Sequence, residues 1–241
     1  MNVEPTQILS LERTRSYEAG LLSDYKNPSR LQEERARVVA SGSVYGRMLA
    51  QYQEILGHSG AVNFMQVATA KNNPIIVDVG CATGIALSNI REDLPTAKLI
   101  GIDIRSTPLN TVVYPDGSTE VVEQMMKRDR IEFHQDTMTN IDHLLPQGYD
   151  VLLAVASFYD DSETDAPSIA LLEMFYRGLR PEGIAQLLYT QTPDALVEAR
   201  KYMDQQSTPH TFTPADPGVL ARNSLLSSYG SSVGILTLGP K

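Results

Sequence analysis

Seven consecutive residues carry the chemistry that can be read first: Asp78-Val79-Gly80-Cys81-Ala82-Thr83-Gly84. They continue a β-branched run, Ile75 to Val77, that suits a strand buried on both faces. A helical pattern begins just after them, at about Ile85. A glycine-bearing turn from a parallel strand into a helix lets bare backbone approach a ligand and aims free helix N–H groups at it. That is the chemistry of a nucleotide site. A dinucleotide turn wants G-x-G-x-x-G; counted from Gly80, Ala82 and Ile85 stand where the second and third glycines belong. Asp78 argues the same way, because a carboxylate at a strand tip repels a pyrophosphate and favours a ligand carrying an ammonium. Taken alone, the stretch also reads as an ordinary strand-to-helix turn of some other α/β protein.

The elements that must position this turn follow from the rest of the pattern. Residues 1–70 read as helical, with apolar positions at Val44, Met48, Tyr52, Ile55 and Leu56, a stop at Gly57, and a last helix from Ala61 to Ala70. From Ile75 onward strand and helix alternate, the sign of a parallel sheet covered on both faces. The expected strands are Ile75–Val77, Ala97–Ile104, Arg130–His134, Tyr149–Ser157 and Ile184–Thr190, the last entered through a turn at Pro181-Glu182-Gly183. Helices are expected from Ile85 to about Asp93, Ser118 to Lys127, Pro167 to Leu179 and Asp194 to Gln205. Two late strands lie near His210–Thr213 and Ser232–Leu238. The connection from Arg105 to Gly117 is long enough to be a lid or binding loop.

Composition bounds the partners. The chain of 241 residues is 42% hydrophobic and 20% charged, as expected of a folded globular protein. A net charge of −9 disfavours tight binding to nucleic acid. The sequence has no apolar run long enough for a membrane span and no basic-then-apolar leader. Its single cysteine is consistent with a reducing cytoplasm. Cys81, inside the glycine turn, reads as a packing residue rather than a nucleophile.

The pattern Asp78-x-Gly80-x-Ala82-x-Gly84 resembles the first motif of the class I S-adenosylmethionine-dependent methyltransferases. Their cofactor has an amino-acid end and no phosphate. The family usually has glycine where Ala82 stands; alanine still leaves room for close backbone approach. Five strand–helix steps and a final strand pair are similar to the family's sheet. The resemblance therefore implies a doubly wound, seven-stranded, mostly parallel sheet with helices on both faces (residues 73–241), plus an N-terminal helical cap (residues 1–72).

Site residues follow from the same resemblance, at the carboxyl ends of the strands. Gly80, Cys81, Ala82, Thr83 and Gly84 would cradle the cofactor, and Asp103, with Ile104 beside it, would accept the ribose hydroxyls. Asp136 would accept from the adenine amino group while the Thr137 N–H donates to a ring nitrogen, though Asp136 also reads as an N-cap. Ala154 and Val155 are small enough for the methionine portion to lie against the backbone. Past them, Tyr159 stands where relatives carry a side chain beside the transferred methyl, and packing is an equal reading. His210, in the late region that often borders the substrate cavity, is a candidate base. Asp160, Asp161 and Asp165 raise a divalent-cation site, but the following strand lacks the Asp-Asn pair of catechol-type relatives, and solvated loop acids explain them better.

The expected function is methyl transfer to O, N or C of a small-molecule acceptor. A protein or RNA methyltransferase with the same cofactor site, and a catalytically silent cofactor-binding module, remain as alternatives. An NAD(P)-dependent oxidoreductase is disfavoured by the glycine spacing and Asp78.

Overall fold

The computed structural model describes residues 49–57, 63–104, 111–113, 119–155, 166–189, 193–214 and 234–241, with isolated positions elsewhere. In chain order these form α1 (Leu49–Gly57), α2 (Phe64–Thr69), β1 (Ile75–Val79), α3 (Ile85–Asp93), β2 (Lys98–Asp103), β3 (Thr111–Val113), β4 (Thr119–Val121), α4 (Val122–Arg128), β5 (Ile131–Gln135), α5 (Ile141–Leu144), β6 (Tyr149–Ala154), α6 (Ala166–Gly178), β7 (Leu179–Tyr189), α7 (Pro193–Gln205), β8 (His210–Pro214) and β9 (Gly234–Leu238).

Seven strands make one sheet in the order β5-β2-β1-β6-β7-β9-β8. Its first five strands run parallel, and β9 enters antiparallel between β7 and β8. The central strands β1 and β6 are buried along their whole length, which is why they read as unbroken apolar runs. Alternation along β1 decides which layer each side chain enters. Ile76 joins Leu49, Ile55, Leu56, Phe64, Leu87 and Ile90 of α1, α2 and α3. Ile75, Val77 and Val79 join α5, α6 and α7 on the opposite face. Asp78 has the parity of Ile76, so its carboxylate belongs to the α1–α3 side. The helices α1 and α2 thus share one core with the sheet.

The strand order reverses direction between β1 and β6, leaving a crevice above their carboxyl ends. The turn from β1 into α3 fills its base, with φ of 72° at Gly80, 50° at Ala82 and 70° at Gly84. Cys81, also in this turn, packs against the middle of β2: a Cβ placed on Gly101 would lie 2.7 Å from Cys81 Sγ. Glycine is needed there for lack of space.

Three expectations are corrected. The helix expected from Ser118 begins at Val122, because Thr119–Val121 pairs antiparallel with Thr111–Val113. The connection after β2 therefore contains a short β-hairpin; residues 105–110 and 114–118 lie outside the described residues. The turn at Pro181-Glu182-Gly183 is a bulge inside β7 rather than its start. Tyr149 pairs with Leu179 and Val151 with Ile184, so residues 180–183 loop out opposite Asp150. Asp150 locks this lower end structurally, accepting the Ile75 N–H at 2.8 Å with Arg180 at 3.4 Å.

Two stability changes follow. A left-handed conformation costs a residue bearing a Cβ about 1–2 kcal/mol, partly offset in glycine by a more flexible unfolded chain. Ala82→Gly should therefore stabilise the protein by about 0.5–1 kcal/mol in urea unfolding. Gly101→Ala should cost about 1–3 kcal/mol through overpacking. Adding Cys81→Ala to that variant removes the clashing sulfur, so the double change should cost less than the two single changes combined.

Candidate active site

The cofactor turn is held by backbone and carboxylate together. The Gly80 N–H donates to the Ile102 carbonyl at 2.7 Å, and the Gly84 N–H to the Cys81 carbonyl at 2.8 Å. The Ala82 N–H donates to Asp103 Oδ2 at 2.8 Å, joining the turn to the tip of β2. Asp103 is nearly buried. Beyond the turn, α3 starts at Gly84 with no side-chain cap, so its first N–H groups need partners from elsewhere. Thr83 is buried beside them, and its Oγ1 has no hydrogen-bond partner among the described residues. Buried hydroxyls are ordinarily paired.

The second and third tips are joined in turn. The Asp136 N–H donates to the Asp103 carbonyl at 3.1 Å, and Gln135 Nε2 donates to the Ile104 carbonyl at 3.3 Å. Asp136 Oδ1 accepts from the Thr137 N–H at 2.7 Å and from Asn140 Nδ2 at 2.8 Å. The Thr137 N–H is therefore already engaged by the neighbouring side chain, where the resemblance implies a ring nitrogen as its partner. A short helical turn, Met138–Asn140, follows Thr137. At the fourth tip Ala154 and Val155 are fully buried, and Ala154 is in register with Val79.

The local potential is negative. The Cys81 thiol is pushed well above its ordinary range, first by burial, then by the Asp103 and Asp78 charges. It stays a neutral thiol at physiological pH and is no nucleophile.

Asp78, Gly80 to Gly84, Asp103, Ile104, Asp136, Thr137, Ala154 and Val155 are thus gathered at one end of the sheet. His210 is not among them. It opens the edge strand β8, in register with Leu238, which pairs with Ala185, then Leu152, then Val77. Four strand spacings, roughly 19 Å, separate it from β1, and its ring contacts Thr208 and Asp204. Lateness in sequence placed it near the site; the inserted β9 moves it away. Tyr159, Asp160, Asp161 and Asp165 lie outside the described residues. Among the described residues no cluster of three His, Cys, Asp or Glu could hold a metal.

Sequence reasoning missed Tyr52. Its hydroxyl donates to Asp78 at 2.9 Å (Oδ2) and 3.1 Å (Oδ1). Leu49, Tyr52, Ile55 and Leu56 share one helix face, and a tyrosine on a buried face needs a polar partner. With the parity of Asp78 in β1, that signal was present. A separate cavity of about 160 Å³ lies between α6 and α7 at the other end of the sheet. Polar groups in its wall pair with the protein itself: Tyr202 with Glu173, and Lys241 with the Arg177 carbonyl.

No protein-family model and no curated protein matches the sequence. Solved structures match in fold. The plantazolicin methyltransferase BpumL in complex with a pentazolic desmethylPZN analog and SAH aligns at a TM-score of 0.55 and 15% identity, over 96% of this chain and 98% of that one. The same methyltransferase in complex with SAH aligns at 0.52 and 14%, over 97% and 100%. At such identity the likeness concerns architecture. In its strand order, its single inserted antiparallel strand and its helices on both faces, the chain has the Rossmann-like fold of the class I S-adenosylmethionine-dependent methyltransferases.

Proposed function

We propose that this chain binds S-adenosylmethionine at the β1–α3 turn and transfers its methyl group to O, N or C of a small-molecule acceptor. The observation that carries the reading is the glycine turn beside two acids, with a buried Thr83 hydroxyl that has no partner among the described residues at the start of α3. Gly80 to Gly84 would lie along the amino-acid end, Asp78 would balance its ammonium and Asp103 would accept from the ribose. Asp136 and Thr137 would border the adenine, with Thr137 exchanging its Asp136 partner for the ring. The neighbour BpumL was crystallised with SAH, which supports the same ligand here.

The cofactor, once bound, supplies an electrophilic methyl on a sulfonium. This chain's task is then alignment: fixing the cofactor and presenting the acceptor in line. Small, buried Ala154 and Val155 are proposed to let the methionine portion lie against the backbone at the β6 tip. Tyr159 is proposed to orient the acceptor there, or to take its proton where one must leave. The N-terminal segment, within the cap expected over residues 1–72, and the connection after β2 are proposed to shape the acceptor side. A small acceptor is favoured over nucleic acid by the net charge of −9. Among the described residues no helix is long and apolar enough to cross a membrane.

S-adenosylhomocysteine should raise the melting temperature and NAD should not, since a ligand that binds only the folded state stabilises it. A shift with NAD alone would contradict the reading. In calorimetry, Asp103→Ala should weaken S-adenosylhomocysteine about tenfold or more, as expected for hydrogen bonds to a charged group. Asp103→Asn, which keeps an acceptor for Ala82, should lose less. With methyl-labelled cofactor, label should enter a small molecule; label in protein or RNA would move the acceptor class. Cofactor binding without turnover on any acceptor would favour the silent module.

A further inference from the structure

We propose that Tyr52 is a positioning residue for the cofactor's amino-acid end, and that through it α1 and the occupied cofactor turn stabilise each other. The inference rests on the S-adenosylmethionine reading above and adds to it a residue and a linkage.

Among the described residues, two polar links fasten α1 to the elements on either side of the turn. Tyr52 donates to both oxygens of Asp78 on β1, the strand that enters the turn. The Leu49 N–H, at the first residue of α1, donates to Asn89 Oδ1 at 3.2 Å on α3, the helix that leaves the turn. This bond ties the first described residue of α1 to α3. Beyond the links, Ile55 and Leu56 share a core with Ile85 and Leu87. Tyr52 is 2% exposed and Asp78 0%.

A carboxylate at a dry site is costly unless hydrogen-bonded, and a charge-assisted bond from a packed phenol fixes its orientation as well. Asp78 is thereby aimed before a ligand arrives, which spares the ligand the cost of ordering it. The linkage is reciprocal: an ammonium that prefers the Tyr52-held Asp78 must favour α1 in place, and α1 in place must favour the ammonium.

The test uses two ligands that differ only in the group concerned. S-adenosylhomocysteine carries the amino-acid end; 5′-methylthioadenosine lacks it. By calorimetry Tyr52→Phe should weaken S-adenosylhomocysteine about tenfold and change methylthioadenosine less than twofold. By hydrogen exchange S-adenosylhomocysteine should slow amides 49–57 in the wild-type chain, and much less in Tyr52→Phe. Unchanged affinities for both ligands in a cooperatively folded Tyr52→Phe chain, or an equal loss of both, would overturn the proposal and leave Tyr52 as packing. If that variant does not fold, Asn89→Ala cuts the other link, and unchanged protection of α1 by the ligand would overturn the proposal. A wild-type chain that binds neither ligand would instead overturn the cofactor reading, and this inference with it.

Discussion

The hydrogen bond from the Ala82 N–H to the Asp103 carboxylate is the constraint on which the site depends. It ties the bend after β1 to the tip of β2, two features 21 residues apart in sequence. Parallel register brings them level, with Val79 opposite Ile102. The bond also explains the backbone at Ala82. A residue with a Cβ stays at φ 50° only where surrounding structure compensates, and a charged acceptor on a buried N–H is such compensation. Beyond Asp103 the chain of contacts runs through its own carbonyl to the Asp136 N–H, then to Thr137 and Asn140. Three strand tips are thus held in one fixed relation before any ligand binds.

Electrostatics follow from that geometry. Asp78 and Asp103 both act on the buried Cys81 thiol, whose upward shift registers their charge after that of burial itself. The carboxylates are satisfied from within the protein: Asp78 by a phenol, Asp103 by a backbone amide. A diphosphate ligand would meet repulsion at this turn; a cationic nucleoside would not. The Thr83 hydroxyl and the open start of α3 then provide donors close to the carboxylates, the mixture that an amino acid's ammonium and carboxylate require together.

Much of the scaffold was legible because central parallel strands leave a strong signature. Ile75–Val79, Lys98–Asp103 and Tyr149–Ala154 are buried on both faces, so their apolar runs marked them closely. The helix Ile85–Asp93 was bracketed by Gly84 and by Pro95. Thr119–Val121 was not legible, since a three-residue strand paired only with a hairpin partner has no core face to betray it. The bulge at 180–183 read as a turn because its Pro-Glu-Gly chemistry is that of a turn. At the site, residues contributed by the motif and by strand tips came together as expected in space. His210 did not, because proximity depends on strand order and β9 is inserted out of sequence. Tyr52 went unread because its partner lies 26 residues away on β1, and one sequence does not pair a helix face with a strand parity.

The central claim is that a cationic nucleoside with an amino-acid tail, rather than a dinucleotide, is what this bend is shaped and charged to hold. Crystals grown with S-adenosylhomocysteine test it most directly. The account predicts its amino-acid end along Gly80–Gly84 with the ammonium facing Asp78, and its ribose hydroxyls on Asp103. Density elsewhere with the bend left bare, or a pyrophosphate seated on the bend in crystals grown with NAD, would contradict it.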